Sequence, residues 1–169
     1  MADSRLDNLV NLKYAGNVQF LFNGEYIYAY HPGQGNIGAP FPWHFFLTPE
    51  SGVPRNAAVN NVSTVFRLEV GGHLGIPGYW VRFGEMAWQA NPGKRMSFWN
   101  EWNEADGNPE DTELFYFEIM NAAEGTVRIK SRYCKYLRLA SPPVVGWTHE
   151  VFDIGAEAGS AAPFKVVFS

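Results

Sequence analysis

The strongest constraint in this chain is the stretch Phe117–Leu139, where apolar and polar residues alternate with a period of two. Phe117 and Ile119, then Val127 and Ile129, then Tyr136, Leu137 and Leu139 mark three short strands, with Gly125 and the polar segment 130–135 turning the chain between them. Arg128, Lys130, Arg132 and Arg138 interleave with these apolar positions. A half-buried antiparallel strand needs that arrangement, because successive side chains point to opposite faces.

Weaker copies of the pattern lie upstream. One runs Phe66 to Val70, Gly71-Gly72, His73 to Ile76, Pro77-Gly78 and Tyr79 to Phe83; another has Val18 to Phe20, Asn23-Gly24 and Tyr26 to Ala29; Phe164 to Phe168 closes the chain. Phe66, Phe117 and Phe164 stand 51 and 47 residues apart. That rhythm divides residues 1–169 into a single domain of three roughly fifty-residue repeats, at about 14–70, 71–120 and 121–169, after a lead-in with Leu6, Leu9, Val10 and Leu12 near helical spacing.

Strands are expected near 17–22, 26–30, 43–48 and 64–70, then 73–76, 79–83, 96–102 and 114–120, then 126–131, 135–140, 148–154 and 164–168. Aromatic residues at 16%, with 17 Gly and 11 Pro, suit an all-β chain rich in turns. Three four-stranded units are too few for an ordinary propeller but suit a three-fold barrel capped by hairpins, so the expected fold is a β-trefoil.

Charge and motifs exclude several functions. A net charge of −4 without a basic run disfavours a nucleic-acid backbone as partner. The first residues contain no apolar signal region and no window approaches a spanning helix, so a cytoplasmic or nucleocytoplasmic location without membrane insertion is expected. Cys134 is the only cysteine, which fits a reducing compartment, and none of His31, His44, His73 or His149 can be placed beside it as a catalytic partner. Asn61-Val62-Ser63 reads as a loop rather than a glycosylation site.

Gly33-Gln-Gly35-Asn-Ile-Gly38 spells a dinucleotide fingerprint, yet Pro40 and Pro42 prevent the helix it needs. The six acids between Glu101 and Glu113 lack the spacing of a calcium loop. No nucleophile elbow and no metal-spaced histidine pair is visible, so neither an enzyme nor a cofactor or metal is expected.

The third repeat, with Phe117-x-Ile119, Gly125-Thr-Val-Arg-Ile-Lys-Ser-Arg-Tyr133, Lys135-Tyr-Leu-Arg-Leu139 and a downstream Trp147, resembles the amaranthin-type agglutinin domain and the fascin-like trefoils. That resemblance implies a metal-independent lectin for galactose or N-acetylgalactosamine epitopes, with glycans or glycoproteins as partners and a homodimer as an option. Independently, a sugar site wants an aromatic face with amides, carboxylates or imidazoles around it. Phe98-Trp99-Asn100-Glu101-Trp102-Asn103-Glu104 supplies these, and Trp43-His44 and Trp147-Thr-His149 repeat the theme. The expected ligand-binding residues are therefore Trp99, Asn100, Glu101, Trp102, Asn103, Trp43, His44, Trp147 and His149. The alternative is a protein-binding β-trefoil, either a protease inhibitor or a fascin-like actin binder, using the long loops at 31–42, 50–63 and 104–113.

Overall fold

A computed structural model of the chain describes residues 4–30, 46–52, 62–73, 75–83, 86–90, 96–99, 114–140 and 151–168. One short helix, α1 (Ser4–Val10), precedes thirteen strands: β1 (Gly16–Phe22), β2 (Glu25–Tyr30), β3 (Phe46–Pro49), β4 (Val62–Ser63), β5 (Phe66–His73), β6 (Ile76–Phe83), β7 (Met86–Ala90), β8 (Met96–Trp99), β9 (Phe115–Asn121), β10 (Thr126–Ser131), β11 (Tyr136–Ala140), β12 (Val151–Ala156) and β13 (Phe164–Phe168).

Six of them close into an antiparallel barrel. β1 pairs with β5, β5 with β6, β6 with β9, β9 with β10, β10 with β13, and β13 with β1 again. β1 joins first and last neighbours: Val18 stands opposite both Phe168 of β13 and Phe66 of β5. The other strands hang off this ring, with β2 on β1, β3 and β4 on β2, β7 and β8 beyond β6, and β11 and β12 beyond β10.

This replaces the expected β-trefoil of three four-stranded repeats with a closed six-stranded barrel carrying extra strands. The sequence rhythm erred where it took Pro77-Gly78 for a turn between two strands. Both residues lie inside β6, paired with Gly72 and Gly71, and the turn falls earlier, at Gly75 with φ +79°. β6 meets β9 only at Tyr79 opposite Phe115, so the missing N–H of Pro77 breaks no ladder there. β4 and β7 were not expected at all.

The barrel interior is aromatic. Phe20, Phe66, Phe115, Tyr79 and Phe164 are wholly buried, and Phe117 nearly so. Phe20 stacks on Phe117 at 5.8 Å and 16°, while Phe66 meets Trp88 edge to face at 5.1 Å. Such geometries suit the ring quadrupole. The indole N–H of Trp88 is buried without a hydrogen-bond acceptor, but the ring stands nearly perpendicular to Phe66 and Phe115, where π faces can take the place of one.

Strand order brings the β5–β6 and β9–β10 turns to the barrel end where β1 begins and β13 finishes. α1 packs there against β9 and buries Leu6 and Leu9. Seven residues are too few for a helix to persist alone, so this burial holds it. The Tyr79 hydroxyl fastens it further, accepting the Tyr14 N–H at 3.0 Å and donating to the Asn8 carbonyl at 3.2 Å. Arg5 lies 4.8 Å over the Phe168 ring, and Tyr14 meets the same ring edge-on.

Two outcomes follow from this packing. Phe117→Ala removes a ring from the centre of the stack and should cost about 3–5 kcal/mol in a denaturant titration. Burial raises the Tyr79 phenol above its ordinary value of 10.0, more than the hydrogen bonds from the Tyr14 and Lys13 backbone lower it. The stability it contributes is therefore complete below that value and is lost as pH rises through the raised one; Tyr79→Phe should reduce stability by about 1–3 kcal/mol at neutral pH and flatten the alkaline arm of the melting profile.

Candidate functional site

On β10 the side chains of Val127, Ile129 and Ser131 point into the barrel, leaving Thr126, Arg128 and Lys130 on its outer wall. The register fixes what they meet. Lys130 faces Tyr116 on β9 and Tyr136 on β11, and Arg128 faces Glu118. The Lys130 ammonium sits 5.6 Å above the Tyr116 ring, and the Arg128 guanidinium 4.9 Å above the Tyr136 ring. Each cation thus rests on a ring face, where the quadrupole attracts it.

Glu118 ties the group together. Its Oε1 accepts from Arg128 Nε at 2.7 Å and from the Tyr136 hydroxyl at 2.8 Å, and Lys130 Nζ lies 3.3 Å from Oε2. Partial burial pushes the Glu118 carboxyl up, but the hydrogen bonds from Tyr136, Arg128 and Lys130 outweigh it and leave the group below its ordinary value. Tyr136 moves the other way, raised by burial and then by the carboxylate it serves.

The wall continues onto β6. Gly78 lies against Leu114 and Tyr116, and the Tyr116 hydroxyl donates to the Pro77 carbonyl at 2.8 Å. Trp80 lies flat on Gly71, where a Cβ would come within 2.5 Å of the indole, so no residue but glycine fits. The Arg82 guanidinium covers that indole at 4.9 Å. Arg82 Nε is 2.8 Å from Glu69 Oε2 but is not aligned to donate to it, so their attraction is Coulombic.

At the end of β10 the chain turns through Arg132, Tyr133 and Cys134. The Ser131 hydroxyl accepts the N–H groups of Tyr133 and Lys135, and Cys134 takes φ +62°. Arg132 donates its backbone N–H to the Leu114 carbonyl at 3.1 Å, and among the described residues its guanidinium has no carboxylate partner. On β11, Arg138 Nε bonds Asp153 at 2.9 Å, and Lys135 pairs with Glu157.

The sugar-binding set read from the sequence falls almost wholly outside the described residues: Asn100, Glu101, Trp102, Asn103, Trp43, His44, Trp147 and His149. Trp99 ends β8 with its backbone opposite Ala87, and the strand expected over 96–102 is described only as Met96–Trp99. The cation–aromatic wall was not foreseen as a site. Its signal was present in the interleaved cations of 128–138, but the partners come from β6 and β9 and require the register.

No protein-family model and no curated protein sequence matches the chain. Among solved structures it is similar to one titled "type II water soluble Chl binding proteins", with a TM-score of 0.51 and 9% identity over 91% of each chain. At that identity the likeness carries the fold alone. It nevertheless corrects the amaranthin-type resemblance: the barrel is shared with a water-soluble chlorophyll-binding protein, so the recognition as a β-trefoil lectin falls with the trefoil fold it rested on. The likeness between residues 117–139 and the agglutinin pattern reflects what any such strand pair requires, an inward Val127 and Ile129 and a buried Tyr136-Leu137.

Glu118→Gln tests the electrostatics of the wall. Because the carboxyl lies below its ordinary 4.5, its contribution is present above that value and lost as pH falls through the lowered one. The variant should be less stable at neutral pH and lose that segment of acid dependence in melts recorded across the acidic range.

Proposed function

We propose that this chain is a non-catalytic protein-binding barrel that meets its partner with outer-wall side chains and connecting loops. The observation that carries the reading is the outer wall. Among the described residues Phe20, Phe66, Phe117, Tyr79 and Phe115 pack the interior, whereas the wall over β6 and β9–β11 presents cations held on aromatic faces. Aromatic and arginine side chains are the ones that dominate protein–protein contacts.

The absence of catalysis belongs to the same proposal. Cys134 is exposed in its turn, and no group of three His, Cys, Asp or Glu that could hold a metal occurs among the described residues. The pigment named for the similar structure is no part of this reading. Nor does any helix among the described residues have the length and apolarity to cross a membrane.

The test is a side-by-side screen of the purified chain against serine and cysteine proteases, filamentous actin and a glycan array. Saturable binding to a protein without turnover is the expected result. A glycan hit with no protein hit, or turnover of any substrate, overturns the proposal.

A further inference from the structure

Resting on the protein-binding reading, we infer that the partner-facing surface is the outer wall of β9–β11 and that it takes an extended, acidic polypeptide segment. Residues 126–140 contain five cations and no carboxylate, in a chain whose net charge is −4. Three acids answer them, two from the neighbouring strands β9 and β12 and one from the residue that follows β12. Glu118 is shared by Arg128 and Lys130, Glu157 pairs with Lys135 and Asp153 with Arg138. Arg132 is left without a carboxylate among the described residues, and its Nε is buried without an acceptor. Among the described residues the wall therefore keeps a positive surplus, and an acidic partner is complementary to it.

The spacing points to a peptide. Arg128 and Lys130 project from one face of β10 about 7 Å apart, the repeat of alternate side chains in an extended chain. Both are held in place, by the Tyr136 and Tyr116 rings below and Glu118 beside them, so a partner loses little entropy in ordering them. Part-exposed ion pairs of this kind are individually weak, and an incoming carboxylate can share their cations at small cost.

Fluorescence anisotropy with a labelled peptide of about a dozen residues alternating Glu with Thr tests this, with the Gln-for-Glu peptide as control. The parent should bind the Glu peptide and not the Gln peptide, and more weakly in about 300 mM salt than in about 50 mM. Lys130→Gln/Arg132→Gln should weaken binding by about tenfold or more, while Lys13→Gln/Arg67→Gln, which removes the same charge from exposed positions away from β9–β11, should leave it unchanged. Arg132→Gln alone breaks no ion pair among the described residues, so it reports on binding even if the double variant melts early. Failure to bind the Glu peptide, equal loss in both double variants, or stronger competition by sulfated dextran per charge each overturns the inference. Protein partners from the screen that bind the parent and the Lys130/Arg132 variant alike overturn it too, and leave the protein-binding reading standing.

Discussion

Closure of the barrel through β1 is the interaction on which the remaining architecture depends. Val18 and its neighbours pair with β13 on one side and β5 on the other, so the ring has no free edge and the phenylalanines inside it are sealed laterally. A sealed ring is what lets Phe20, Phe66 and Phe117 pack as one aromatic cluster, and α1 completes the seal at the end where β1 begins.

The outer wall is organised by the pairing that closes the ring. Lys130 reaches Tyr116 because β10 and β9 are in register at that pair, and Arg128 reaches Glu118 for the same reason. A one-residue slip would move every cation of β10 into the core, so burial of Val127 and Ile129 fixes the positions of the charges. Fold stability and surface chemistry therefore share one determinant.

How much of this the sequence discloses depends on how local each feature is. β10 was legible as residues 126–131, because period-two alternation is written in neighbouring residues. The buried aromatics at 66, 117 and 164 were legible as well. Gly75 against Pro77-Gly78 was not, since which glycine turns the chain depends on which strand partner is absent, and that is known only once β9 is placed. Nor could Trp80 be assigned a neighbour, because its seat on Gly71 is a cross-strand contact. Fold identity failed for a related reason: short strand motifs such as Lys135-Tyr-Leu-Arg-Leu139 satisfy local rules common to many β proteins.

The pairing of β1 with β13 has a consequence for how the chain is made. Val18 and Phe168 are partners across nearly the whole length of the sequence, and a contact of such separation forms late and slowly. During synthesis β1 and β5 can meet early, but the ring stays open until β13 has left the ribosome, with Phe20 and Phe66 facing the gap. For that interval the nascent chain presents an unpaired strand edge beside exposed rings, and its escape from aggregation depends on how quickly the last strand arrives.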